Sequence, residues 1–220
     1  MGIGRREFTK LIGLALTGVI IDPLQAVVTY NEYYINKKLG IMFTIPKSWG
    51  FVKIKDFGKI KDEQILDSFY ESIKNEVYED LGNPICIVTK YYEDLPEHDG
   101  LFSPSIILKM TPKSEFDSYG HKNFEELIKM SRKNDNSVLK DYKIVNIYDP
   151  YTLNNCQFFE DDSEYLFEHK ELEKSIKVEQ KSIKFEHQNL YYQFSCHQSL
   201  EMNEKADIEF EAFKKSIKLI

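Results

Sequence analysis

Hydrophobic and polar positions change period several times along the chain, and each change marks an element. Leu39, Ile41, Phe43 and Ile45 alternate with smaller or more polar residues, a strand that Pro46 stops, and a turn at Lys47-Ser48 leads into a second strand from Trp49 to Ile54. From Asp62 the spacing becomes helical: Leu66, Phe69, Tyr70, Ile73 and Val77 form one apolar stripe over about four turns, with Asp62 as N-cap and Gly82 and Pro84 as the stop. Strands follow at Ile85 to Tyr92 and at Ser105 to Met110, separated by a polar loop containing Pro96, Gly100 and Pro104. A helix over His121 to Lys133 buries Phe124, Leu127 and Ile128, and a strand runs from Tyr142 to Tyr148.

The last third is the most legible. With Gln188-Asn189 as a two-residue turn, Ile183 faces Phe194 and Phe185 faces Tyr192, so these residues and Cys196 share one apolar side of a hairpin. Lys184, Glu186, Gln193, Ser195 and His197 take the opposite side, expected to be wet. Ile176 and Val178 stand out of step with Ile183 by an odd number, which predicts a bulge or break between them. A terminal helix from about Glu204 places Ala206, Phe210 and Phe213 on one face before an extended Ser216-Ile217-Lys218-Leu219. The sum is an α+β domain with a mainly antiparallel sheet.

The start of the chain departs from all this. Arg5, Arg6 and Lys10 precede Leu11 to Ile21, eleven residues without a charge, which as a helix reach about 16 Å, half of a ~30 Å hydrocarbon core. Asp22 and Pro23 end the run, and Leu24, Gln25 and Ala26 give a small-residue exit. A basic start, a short apolar middle and such an exit predict a signal peptide over residues 1–26, cleaved after Ala26, and exclude a stable membrane span. Within it Gly4 to Lys10 resembles the twin-arginine signals, Ser/Thr-Arg-Arg-x-Phe-Leu-Lys: Arg5, Arg6, Phe8 and Lys10 match, while Gly4 and Thr9 depart. That resemblance implies export of an already folded chain. An ordinary Sec signal is the alternative, and both lead out of the cytoplasm to a periplasmic or otherwise exported, soluble protein.

Removing residues 1–26 takes away three basic and two acidic residues, leaving 26 Lys+Arg against 34 Asp+Glu. That sign argues against nucleic acid and anionic lipid as partners. The remaining 194 residues suit one domain, with 27–38 as a lead-in and 39–220 as the fold.

No chemical motif stands out. Cys86, Cys156 and Cys196 match no metal-ligand spacing and read as buried thiols, although one disulfide with an odd thiol stays open. Cys196-His197 looks like a dyad, yet neighbours on a strand point to opposite faces. His169, His187 and His197 fall too far apart along the proposed hairpin to share a metal. Glu160-Asp161-Asp162-Ser163-Glu164 could cluster carboxylates for calcium, but reads better as a solvated turn or strand edge. The paired tyrosines Tyr91-Tyr92 and Tyr191-Tyr192 each put one ring on either face of a strand, making Tyr91 and Tyr191 candidates for a binding surface. No catalytic residue, metal or cofactor is assigned.

Leu39-Gly40-Ile41-Met42-Phe43-Thr44-Ile45-Pro46 with Trp49, and Phe213-Lys214-Lys215-Ser216-Ile217 at the close, resemble the PsbP-like and DcrB-like domains. The resemblance implies an α/β/α sandwich shared with a Ran-binding nuclear import factor, and a mostly non-enzymatic role. The expectation is an exported, non-catalytic envelope protein that binds or stabilises a protein partner, apart from the export machinery it meets in transit. A hydrolase or cofactor-bearing enzyme without a recognisable motif, or a small-ligand carrier with an apolar pocket between sheet and helix, are the alternatives.

Overall fold

The computed structural model describes residues 33–52, 64–75, 84–91, 102–120, 123–133, 137–170, 172–201 and 206–220. The signal residues Arg5, Arg6, Phe8 and Lys10 and the cleavage position Ala26 lie outside them, as do Tyr92, Pro96 and Gly100.

Four short strands come first: β1 (Tyr33–Asn36), β2 (Ile41–Thr44), β3 (Gly50–Phe51) and β4 (Gln64–Ile65). A single helical turn, α1 (Ser68–Glu71), precedes β5 (Cys86–Thr89) and β6 (Ser105–Pro112). A 3-10 helix (Lys113–Tyr119) leads to α2 (Phe124–Arg132). Then β7 (Lys140–Ile147), β8 (Tyr151–Leu153), β9 (Cys156–His169), β10 (Ile176–His187) and β11 (Leu190–Ser199) run on to α3 (Asp207–Ser216) and β12 (Lys218–Leu219).

Among the described residues every strand pair is antiparallel. A nine-stranded sheet runs β3-β5-β6-β11-β10-β9, and β8, β7 and β4 line up in turn along the far side of the long β9. A second sheet, β1-β2-β12, joins the start of the described chain to its last residues. The main sheet is a middle layer. On one face Leu108, Phe158, Phe185, Tyr192 and Phe194 pack against Phe43 of the small sheet and Phe210 and Phe213 of α3. Phe43, Phe194 and Phe213 meet edge to face with centroids 5.0–5.3 Å apart, a favourable aromatic geometry. On the other face Phe116, Phe124, Leu127 and Ile128 of the 3-10 helix and α2 close over Phe159 and Tyr191. The molecule is therefore an α+β domain with a central antiparallel sheet.

Two-residue turns set the register. Gln188 and Asn189 both have φ above +50°, the left-handed pair a tight hairpin needs, and the pairings 183 with 194 and 185 with 192 are those the alternation gives. Asn154 and Asn155 do the same between β8 and β9. α2 starts at Asn123, whose side chain accepts from the Glu126 N–H, and buries the three residues its spacing singles out. Gly40 sits at φ 67° beside His187 and Gln188, where an added Cβ would come within 2.9 Å of both side chains.

Several expectations need correction. The stripe from Leu66 does not begin as a helix, because Gln64–Ile65 is drawn onto the end of β9 and Leu66 is buried against Val138; the described residues are helical at α1, turn at 72–73 and are helical again at 74–75. Asp62, Val77 and Gly82 lie outside the described residues. The second strand is confined to Gly50–Phe51 within the described residues. Tyr33–Asn36, expected as lead-in, is a strand of the fold with Tyr34 buried in the main core. No bulge separates Val178 from Ile183: β10 pairs without interruption on both sides, and Val178 turns to the second face, where Phe102 and Tyr165 bury it. That face of the hairpin is not wet either, since Lys184, Gln193, Ser195 and His197 are all buried.

Candidate functional site

The acidic run is the centre of this architecture. Glu160 to Glu164 is neither a turn nor a solvated edge but the middle of β9, with neighbours on both sides. Alternation divides it between two layers. Asp161 and Ser163 point under α2, where Asp161 is 0% exposed and takes Lys184 Nζ at 2.9 and 3.1 Å and Arg132 Nε at 3.1 Å. Arg132 also donates to the Glu160 carbonyl at 2.8 Å, so the last turn of α2 is tied to the sheet by one guanidinium.

Glu160 and Asp162 point the other way, into a pocket of about 360 Å³ between the sheet, the β7–β8 corner and α3. Its floor is apolar, from Ile183, Cys196 and Phe210. Tyr148 donates to Asp162 Oδ2 at 2.5 Å, and Tyr151 donates to Glu160 Oε1. Lys214 reaches from α3 to Glu160 Oε2 at 3.0 Å and stands 5.7 Å from the centroid of the Tyr151 ring. Lys181, cross-strand from Asp162, turns to Asp207 at 3.0 Å. The bond to Asp162 raises the Tyr148 phenol above its usual range, with burial adding to it. Burial first, and then the bond to Glu160, raises Tyr151. Both hydroxyls thus stay protonated donors. Their carboxylates are spoken for, and the arrangement is built to hold charge rather than to move protons.

The sequence-predicted candidates are dispersed. Tyr191 is buried and stacks on Phe124 with centroids 4.6 Å apart, so it contributes to the α2 contact and offers no surface. Tyr91 is half-buried at the end of β5, four strands from β9, its N–H donating to Ser103 Oγ. Cys196 faces the main core while His197 faces away and bonds Tyr165 through Nδ1 at 3.0 Å, so the two do not meet. Burial pushes the Cys86 thiol up to about 12, raises Cys196 further, and lowers His197 to about 4 with help from Lys109. All three cysteines are free thiols. His187 pairs with Leu190 at the turn and His197 with Gln180 along the strand. Among the described residues no three His, Cys, Asp or Glu side chains group as metal ligands. The tyrosines that matter, Tyr148 and Tyr151, flank the acidic run as the hairpin entering it. Only that flanking was available in the sequence as a signal.

No family model matches the chain, and no curated protein matches it. Among solved structures it is similar to cyanobacterial PsbP (CyanoP) from Synechocystis sp. PCC 6803, at 10% identity and TM-score 0.45, over 93% of this chain and 99% of that one. It is similar also to PA94 from Pseudomonas aeruginosa, a protein of unknown function described as a putative regulator, at 10% identity and TM-score 0.41, over 83% and 90%. A third is LpqN of Mycobacterium tuberculosis, involved in cell envelope biogenesis, at 13% identity and TM-score 0.36, over 86% and 81%. PsbP, which the two terminal motifs resemble, is thus among the structures this chain is similar to. Among the described residues no helix is long and apolar enough to cross a membrane.

Proposed function

We propose that the chain is an exported, non-catalytic envelope protein that binds a protein partner, and that it does so where β7 ends beside the pocket. The observation carrying this is a group of apolar side chains that the fold leaves outside: Val145, 47% exposed, and Ile147, 53%, at the end of an edge strand, and Tyr148, 42%, in the corner just after it. Such residues next to a concave site are the composition of an interface core. β7 shifts register twice against β9, between Lys140 and Lys143 and between Ile144 and Asn146. Those irregularities blunt the edge against simple strand addition. A partner would therefore be read by side chains rather than by a continued backbone ladder. Cys86, Cys196 and His197, each held in an uncharged form inside a core, support a binding role over nucleophilic chemistry. A small-ligand carrier is disfavoured by the charged rim of the pocket, though it lies where that reading requires one, between sheet and helix.

A photo-crosslinking side chain placed at Ile147 of the full chain, expressed in its native host, tests the proposal. One discrete protein adduct is expected at 147 and none at Lys129, an exposed position on α2 across the sheet. No adduct at 147, or the same adducts at both positions, overturns it.

A further inference from the structure

The small sheet carries a charge opposite to that of the molecule as a whole. Residues 33–48 and 212–220, which hold its three strands and the turns beside them, contain six lysines and no Asp or Glu, in a chain whose formal net charge is -7. Of the six, Lys214 turns inward to Glu160 at 3.0 Å. Lys37, Lys38, Lys47, Lys215 and Lys218 are exposed, and among the described residues none of these five has a carboxylate within 4.0 Å. Their places follow from the strands. Lys37 and Lys38 form the turn between β1 and β2, and Lys47 lies just beyond the other end of β2. Lys215 stands at that same end, because the Thr44 N–H donates to the Oγ of its neighbour Ser216 at 2.9 Å. Lys218 lies between the two groups, on β12 opposite Met42.

Alternation sets apolar side chains among these cations. Ile41 and Phe43 are buried, so Met42 and Thr44 take the outer side of β2; the register places Ile35 and Lys218 on either side of Met42, and Tyr33 beside Thr44. Tyr33 and Ile220 are exposed, and among the described residues Ile35 and Met42 join none of the core clusters. The result is an open sheet face, apolar along its middle and cationic at both ends. An anionic bilayer matches both parts: phosphates receive the ammonium heads, lysine stems lie over carbon, and a tyrosine with two aliphatic side chains suits the boundary between headgroups and acyl chains. The chain's own path favours that occupant over an acidic protein. Residues 22–32 join the apolar run of the leader, 11–21, to Tyr33, a reach of at most about 40 Å at ~3.5 Å per residue, so the domain opens on this face within range of the membrane the leader addresses. The net negative charge speaks against anionic lipid for the molecule taken whole, but screening over about 8 Å at physiological salt leaves a surface responding to the charges that face it.

We propose that the outer face of β1-β2-β12 seats the protein on an anionic phospholipid surface, Lys37, Lys38, Lys47, Lys215 and Lys218 meeting phosphates while Tyr33, Met42 and Ile220 enter the headgroup layer. The contact is peripheral, without a span, and it is independent of the partner surface at β7, which belongs to the other sheet.

The test places a photo-crosslinking side chain at Met42 of the full chain and mixes the protein, at about 0.15 M salt, with vesicles of phosphatidylcholine alone or of phosphatidylcholine with phosphatidylglycerol. Every variant is made in a chain whose apolar run carries Leu14→Asp with Val19→Asp, so that the leader itself does not enter the vesicles. Lipid adducts, read by mass spectrometry, are expected at 42 on the mixed vesicles, about ten-fold or more above those on phosphatidylcholine alone, and none from the same side chain at Lys129, exposed on α2. Lys37→Gln with Lys38→Gln should raise the vesicle concentration that gives half the adduct about twenty-five-fold, at about five-fold per lysine. Lys129→Gln with Lys133→Gln, two exposed positions on and just after α2, should leave it unchanged. Equal adducts on the two vesicle types, none on either, or an equal loss from the Lys129 and Lys133 pair overturns the proposal. Soluble polyglutamate binding the chain about ten-fold tighter than the mixed vesicles, compared per acidic group, overturns it too, by pointing to an acidic protein.

Discussion

At the scale of single residues the strand alternation decides which side chains can react with which. Cys196 and His197 are adjacent in sequence and separated by a sheet, which the two-residue period made readable before any coordinates. What could not be read is that both sides are dry. His197 is 8% exposed, and burial together with Lys109 depresses it to about 4 from an ordinary value of 6.5. The unfolded chain then binds a proton through a pH range where the folded chain does not, so stability is full above pH 6.5 and is lost as the pH falls toward 4. The depression corresponds to about 3–4 kcal/mol at most, at ~1.4 kcal/mol per unit. Urea unfolding between pH 7.5 and 4.5 should show a stability decline that His197→Gln removes. A wild-type slope identical to that of the variant would mean that His197 keeps access to water.

Elements held by local signals were legible; those held by distant partners were not. α2 carried its own cap and stripe, and the β10–β11 hairpin its own turn and pairing. β9 carried a run of acids that only remote residues explain: Lys184 and Arg132 for Asp161, Lys214 and Tyr151 for Glu160, Tyr148 for Asp162. The odd step from Val178 to Ile183 was misread for a related reason, since a sheet covered on both faces has two valid parities. The Asp161 cluster makes the most direct demand on stability. Asp161→Asn would leave two cations in a site with an 11% exposed side chain on each and no balancing charge, a change costing about 3–5 kcal/mol. Lys184→Met added to it should recover part of that loss, and a double-mutant cycle by chemical denaturation measures the coupling. Strict additivity would show that the ion cluster does not clamp α2.

For the whole molecule, the pairing of β2 with the last strand matters most. β2 lies between β1 and β12, the Thr44 N–H donates to Ser216 Oγ at 2.9 Å, and the Ile220 N–H donates to the Gly40 carbonyl at 2.8 Å. Ile217 is 1% exposed inside the main core. Deleting residues 216–220 removes an edge strand and that core side chain together, and the large core cavity alone costs about 2–5 kcal/mol, a large part of a typical domain's stability. Such a chain should fail to fold cooperatively, which circular dichroism and denaturation can establish first. The two export routes then respond differently to it. A twin-arginine signal passes a chain folded beforehand, whereas a Sec signal threads an unfolded one, so under the twin-arginine proposal the truncated chain stays in the cytoplasm while the full chain leaves it. Cell fractionation should show that retention, and the same retention for the full-length chain carrying Arg5→Lys with Arg6→Lys. Truncated protein reaching the exported fraction as efficiently as the full chain would assign the signal to the Sec route and remove the link between this closed fold and its export.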